Sequence, residues 1–346
     1  MKNLLSILLL IPIFIAHAQQ DSTLIVAENQ EAEQFFNKGN ELLKNHELEK
    51  AVTAFNIALE FKPDFTKALI NRGGIFTTLK KYPEAEADYT MAIYFDNTSA
   101  IAYLGRGIAR YYQNKIDEAQ KDLLKAQELQ NKDAELYYFL GVISFEHADY
   151  QGANENFTRC INIDPINVNA FNDRGSTQRM LENYTLAIDD YKKATELKPD
   201  FAIAFNNLAS AYWKNNEPDQ AIVTYSEAIR INPGLIIAYN NRASVKIDKK
   251  DFEGALADCN KALELDPNYA YAHNNRGTAL MKLNRLPDAT LSFTKAIELN
   301  PGFGVAYLNR GISLEMQREF TKALDDWKKA LKLGVTKAQS YINFYE

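Results

Sequence analysis

Three adjacent asparagine pairs, Asn206–Asn207, Asn240–Asn241 and Asn274–Asn275, recur 34 residues apart. A carboxamide carries both a donor and an acceptor, which is also what a peptide backbone presents. A row of such groups can hold an extended chain without reading its side chains. Asparagine is a poor helix-interior residue because its short side chain competes for backbone hydrogen bonds, so a recurring pair inside helix-like runs calls for a reason. The same spacing adds Asn172 and Asp173 on one side and Asn309 on the other, with Ser176, Ser210, Ser244 and Thr278 three residues beyond successive pairs.

Residues suited to covalent or acid–base chemistry show no comparable pattern. The four histidines, His17, His46, His147 and His273, have no partner at the spacing of a metal-binding helix or a nucleophile–base pair. Cys160 and Cys259 are too few for a disulfide framework and stand far apart in sequence. Glycines occur singly within helical patterns, so no phosphate-cradling loop is expected. These features predict a protein that is not an enzyme and takes no cofactor. A net charge of −6 without a lysine or arginine block excludes nucleic acid and anionic membrane surfaces as partners. An apolar fraction of 46% is that of a folded chain.

The elements that must position the asparagines follow one period. Gly39, Gly73, Gly107, Gly141, Gly175, Ala209, Ala243, Gly277 and Gly311 are each 34 residues apart. So are the alanines from Ala51 to Ala323, and a third ladder from Ala58 to Ala330 that is broken only by Cys160. No residue is inserted or deleted between Ala32 and Lys337. Self-similarity at this length marks a stack of supersecondary units. Counting places from Ala32, each unit holds two helical patterns, at roughly places 1–14 and 18–31. Large apolar residues fall at places 4 and 24, and small ones at 8, 20 and 27, where helix backbones approach. A proline near the unit's end suits the link to the next helix.

On these ladders the chain resembles the tetratricopeptide repeat family. The resemblance implies an all-α fold: a right-handed α-α superhelix of nine 34-residue helix-turn-helix repeats with a C-terminal capping helix. The repeats are 32–65, 66–99, 100–133, 134–167, 168–201, 202–235, 236–269, 270–303 and 304–337, and the cap is 338–346. Asn97 and Asn131 depart from the family's proline, and His273 from its aromatic at place 4. In this family places 2, 5, 6, 9, 12 and 13 line the inner wall, which makes the wall of repeats five to eight amide- and hydroxyl-rich. Its place-6 row (Asp173, Asn207, Asn241, Asn275, Asn309) is similar to the asparagine ladder of O-linked N-acetylglucosamine transferases. The wall of repeats two to four is apolar instead, with Ile70, Leu104, Tyr138 and Phe139, and Tyr111, Tyr112 and Phe145 nearby. The two-carboxylate clamp of chaperone co-factors in this family is disfavoured: Asn40 and Asn71 fit two of its five places, whereas Phe36, Ile101 and Gly105 do not fit the rest.

The expected function is a non-catalytic scaffold that binds an extended peptide segment of another protein. Its peptide-binding residues would be Asn172, Asp173, Ser176, Asn206, Asn207, Ser210, Asn240, Asn241, Ser244, Asn274, Asn275 and Asn309, with Tyr138 and Phe139 supplying pockets. A competing reading has the amides hydrogen-bonding within the stack. Another has the apolar wall covered by the N-terminal segment around residues 23–26. The alternative function is an accessory subunit docking by its outer faces or ends onto a larger envelope complex. Six repeats carry arginine at place 7, and five of those six carry aspartate at place 23. The match predicts an ion pair between the two helices of a repeat, and opposes a basic track for an acidic ligand.

Residues 1–18 read as a secretory leader: a basic start, the apolar run Leu4 to Ala16, and Ala16 and Ala18 before Gln19. A polar lead-in, 19–31, would follow. The run is shorter than the ~20 apolar residues that span a bilayer, so an exported chain without a membrane span is expected, in the periplasm or secreted.

Overall fold

The computed structural model describes residues 11 to 345, with side chains from residue 27 onward. Among the described residues there are nineteen helices and no strand. The first, Ile11–Lys44, runs without a break from the lead-in into repeat one. Residues 1–10 of the expected leader, and the side chains of residues 23–26, lie outside the described part. After Lys44 the pairs follow the 34-residue period: in repeat two, for example, Thr66–Thr78 and Tyr82–Phe95. The chain divides between Asp164 and Pro165 into two compact units, repeats one to four in the first and repeats five to nine in the second.

The small-residue ladders work by close approach. A Cβ added to Gly39 would stand 2.6 Å from the Phe55 ring, and one added to Gly311 would stand 2.4 Å from Nε1 of Trp327. Glycine at place 8, or alanine at Ala209 in repeat six, is therefore what lets the bulky residue at place 24 seal the interior; Phe55, Phe157, Tyr191, Tyr225, Phe293 and Trp327 are all buried. The alanines at places 20 and 27 are buried too, so the second helix is packed along its whole inner stripe.

The turn inside each repeat places one residue in the left-handed region: His46, Lys80, Asn114, Ala148, Glu182, Asn216, Lys250, Asn284 and Arg318. The peptide nitrogens there close the first helix, as in His46 N to Leu43 O at 3.1 Å and Glu47 N to Leu42 O at 2.9 Å. Repeat three departs at its far end. Its second helix stops at Glu128, Gln130 adopts φ 62°, and an irregular link leads to Asp133, which caps the helix Ala134–Glu146. The cap at the other terminus is Ala338–Tyr345, where Tyr341 stacks on Trp327 at 5.0 Å between ring centroids.

The expected ion pairs form. Arg72, Arg106, Arg174, Arg242 and Arg310 each grip the matching Asp88, Asp122, Asp190, Asp258 and Asp326 through two bonds of 2.6–2.9 Å. Four of these guanidinium groups lie over the ring at place 4, such as Tyr307 under Arg310 at 5.6 Å. Arg72, Arg106, Arg242 and Arg310 also reach Asn56, Thr90, Ser226 and Thr294 of the preceding repeat. One side chain thus ties three helices and sets how successive repeats rotate. Burial lifts the Asp190 carboxyl above its ordinary range against the pull of Arg174, while the bond from Asp326 holds Arg310 up.

Repeat eight lacks this tie. Place 23 is Ser292, whose hydroxyl donates to Asp288 O at 2.9 Å. Arg276 Nε is buried without a partner, and His273 stands where seven of the other repeats place a phenylalanine or tyrosine. Burial first, then Arg276 and Lys295, push the His273 imidazole below its usual range. Ser292→Asp is expected to supply the missing carboxylate and stabilise the chain by about 1–2 kcal/mol, read as a higher urea midpoint. An unchanged or lower midpoint would contradict this account of the pairs.

Candidate functional site

The first helices of repeats five to nine place the asparagines in two rows with different surroundings. At place 5, Asn172, Asn206, Asn240 and Asn274 are only 6–8% exposed. At place 6, Asp173, Asn207, Asn241, Asn275 and Asn309 are half-buried. A buried carboxamide must find partners, and the next repeat supplies one each time. Asn207 Nδ2 donates to Asn172 Oδ1 at 3.1 Å, Asn241 to Asn206 at 3.3 Å, Asn275 to Asn240 at 2.9 Å and Asn309 to Asn274 at 3.1 Å. Within repeats, Asn172 donates to Asp173 at 2.9 Å, and Asn206 and Asn274 donate to Asn207 and Asn275 at 3.4 Å. The place-5 groups therefore serve the stack. What reaches solvent is the place-6 row.

The hydroxyls are drawn inward as well. Ser176, Ser210 and Thr278 donate to the carbonyls of Asn172, Asn206 and Asn274 at 3.0–3.1 Å. Ser176 and Ser210 also meet the phenol oxygens of Tyr191 and Tyr225 at 3.0 and 2.8 Å. Ser244 has Cys259, not tyrosine, at place 24 of its repeat, and it is half-buried.

The remaining capacity can be counted at each group. A carboxamide has two N–H hydrogens and an oxygen with two lone pairs. Asn207, Asn241, Asn275 and Asn309 each commit one hydrogen to the preceding repeat. The oxygens of Asn207 and Asn275 accept from within their repeats, while those of Asn241 and Asn309 accept no hydrogen bond among the described residues. The row thus keeps a spare donor at Asn207, Asn241 and Asn309 and a spare acceptor at Asn241 and Asn309, while Asn275 Nδ2 also reaches the Asn240 carbonyl at 3.4 Å.

The apolar wall of repeats two to four is mostly interior. Phe139 is buried, with Tyr111, Tyr112 and Tyr138 against it at centroid distances of 5.3, 5.8 and 5.5 Å. Leu104 is buried in the same cluster, and Tyr138 is half-buried over Phe157 at 6.0 Å. Tyr112, stacked on Tyr82 at 4.9 Å, is the exposed remnant of this cluster. Beside it lies a feature that the sequence reading passed over, a cavity of about 280 Å³. It is bordered by Gly74, Tyr89 and Gly105, with Asp133 and Glu135 from the irregular link. Its signal was present in the repeat alignment, as glycine at places 9 and 6 of adjacent repeats.

Both thiols are free and buried, and burial pushes Cys160 to about 11 and Cys259 to about 12, which leaves them unreactive at neutral pH. Among the described residues, no helix is long and apolar enough to cross a membrane.

Comparison with known proteins gives consistent matches. Profiles described as TPR repeat match residues 175–216 and 243–284, and profiles described as tetratricopeptide repeat match 202–235 and 270–303, and 36–100 and 104–157. The human protein O-mannosyl-transferase TMTC1 is 39% identical over 62 residues, which are 18% of this chain and 7% of that protein. A chain of the APC/C hetero-tetramer Cut9-Hcn1 superposes with a TM-score of 0.58 at 14% identity, over 77% of this chain and 52% of that one. The C-terminal part of a TPR repeat-containing protein from Cytophaga hutchinsonii gives 0.56 at 18%, over 69% of this chain and 98% of that one. At these identities the superpositions show the fold.

The division between the two amide rows has a measurable consequence. Asn309→Ala leaves the buried Asn274 Oδ1 without its donor and is expected to cost about 1–3 kcal/mol, whereas Asn274→Ala leaves only the half-buried Asn309 amide, which water can meet, and should cost about 1 kcal/mol or less. Urea unfolding of the two variants checks the order; equal costs would mean the rows are not distinct.

Proposed function

Because the chain belongs to the tetratricopeptide repeat family, we propose that it is a non-catalytic scaffold that holds an extended segment of another protein against the first-helix face of repeats five to nine. The observation that carries this reading is the half-buried place-6 row. Asn207, Asn241, Asn275 and Asn309 recur once per repeat and retain hydrogen-bonding capacity that the fold does not use. Spare N–H groups would meet the carbonyls of an extended backbone. The free oxygens at Asn241 and Asn309 would meet its N–H groups. Such contacts give affinity with little sequence preference, and specificity would come from side-chain subsites elsewhere on the chain.

The test is a cross-linked pull-down from the exporting cell with wild type and an Asn207→Ala, Asn241→Ala, Asn275→Ala triple variant. The variant should keep its helical circular dichroism and lose the captured partner. Retention of the partner by a folded triple variant would remove this reading. Docking by the outer face is favoured by one observation. Val223 and Leu291, both at place 22 of second helices, are 70% and 71% exposed. Under that reading Val223→Asp with Leu291→Asp would release the partner and the asparagine variant would not.

The scaffold acts outside the cytoplasm in this proposal, its leader removed between Ala18 and Gln19. N-terminal sequencing of the exported protein should begin at Gln19. A chain that still begins at Met1 in the exported fraction would refute cleavage.

A further inference from the structure

The cavity in the first compact unit, beside the aromatic cluster, has the chemistry of a subsite. The repeats themselves show what is missing there. In repeats five and six the place-24 phenols, Tyr191 and Tyr225, meet the place-9 hydroxyls of Ser176 and Ser210. Repeat two has the same phenol, Tyr89, but Gly74 at place 9. Tyr89 is 5% exposed and, with no place-9 hydroxyl, hydrogen-bonds the Thr77 hydroxyl instead. Its oxygen lies 3.7 Å from where a Cβ on residue 74 would stand. Thr77 is its polar neighbour, and the Thr77 hydroxyl donates to Gly73 O at 3.0 Å. The next repeat removes a second side chain at the same spot. A Cβ on Gly105, where the later repeats carry asparagine or aspartate, would come 2.2 Å from Cζ of Tyr89.

The Tyr89 ring itself fills the position that a side chain at residue 105 would take, and two carboxylates border the cavity beside it. Asp133 and Glu135 are both exposed at its edge, brought there by the shortened second helix of repeat three. Neither belongs to an ion pair among the described residues, whereas Glu86 and Asp122 are engaged by Arg106, Arg110 and Lys115. The walls around Glu135 desolvate it and Asp133 repels it, so its carboxyl sits above the ordinary range. A cation placed beside it would relieve both effects.

We propose that this cavity seats the side chain of a lysine or arginine from a partner's segment, its methylenes over Gly74 and Gly105 and its charge between Glu135, Asp133 and the Tyr89 hydroxyl. The inference rests on the scaffold reading, and it adds the residue chemistry that reading lacks. It concerns the first compact unit, apart from the asparagine row of the second.

The test uses the full mature chain labelled with ¹⁵N-glycine, so that Gly74 and Gly105 report on the cavity among 15 glycines. N-acetyl-lysine methylamide is titrated against N-acetyl-norleucine methylamide, with calcium chloride as a third probe. The lysine compound should shift Gly74 and Gly105 saturably, and the norleucine compound should not. Glu135→Gln should weaken the response about tenfold or more. Gly74→Ser, which restores the hydroxyl that meets the phenol in repeats five and six, should fill the space and abolish the response at Gly105 without lowering stability. No shift with the lysine compound, an equal shift with norleucine, an unchanged Glu135→Gln, or the same shifts with calcium alone would overturn the proposal. Loss of this subsite with the asparagine-dependent pull-down intact would leave the scaffold reading standing. The reverse result would remove that reading and keep the subsite.

Discussion

A carboxamide cannot be sealed inside a helical stack unless another polar group meets it. In repeats five to eight the amide at place 5 is sealed, and what meets it is always the amide at place 6 of the next repeat. That single bond, repeated four times, links neighbouring repeats through their first helices. It also decides what remains for function. At Asn207, Asn241 and Asn309 one hydrogen is held by the stack and the other stays on the surface, while Asn275 also reaches the Asn240 carbonyl. The same residues are thus mortar on one side and a hydrogen-bonding surface on the other.

The arginine–aspartate pairs do related work between helices of a repeat, with a third contact back to the preceding repeat. Their geometry is close to identical in five repeats, so a departure is informative. In repeat eight the loss of the aspartate leaves Arg276 Nε buried and unpaired. In repeats two and three glycine replaces two place-specific side chains beside a buried phenol, at the edge of a cavity.

Much of this was legible in residue spacing. From repeat two onward the period placed every helix pair within a residue or two, because small residues at place 8 face the place-24 side chain in each repeat. The ion pairs were legible from matched presence and absence. The C-terminal cap was legible too, since Tyr341 and Tyr345 fall at helical spacing and cover Trp327. Less visible was the split between Asn206 and Asn207, or Asn274 and Asn275. Adjacent residues on a helix differ by about 100° in direction, and which of the two turns toward the next repeat depends on how that repeat is rotated. Phe139 was placed on a binding wall, but the surrounding tyrosines close over it. The cavity escaped because it is made of absences, at Gly74 and Gly105, and of a link whose early helix end at Glu128 carries no proline. The helix running from Ile11 into repeat one, and the division after Asp164, were also not marked by any break in the pattern.

The central claim is that the two asparagine rows differ in kind, one spent on the fold and one only half spent. Side-chain amide hydrogen exchange, followed by NMR on the partner-free protein, addresses it directly. The account predicts slow exchange for the Nδ2 groups of Asn206, Asn240 and Asn274, and faster exchange, by at least an order of magnitude, for those of Asn241 and Asn309. Uniformly slow exchange across both rows would mean that no amide faces solvent, and uniformly fast exchange would mean that the place-5 row is not sealed; either result would contradict it.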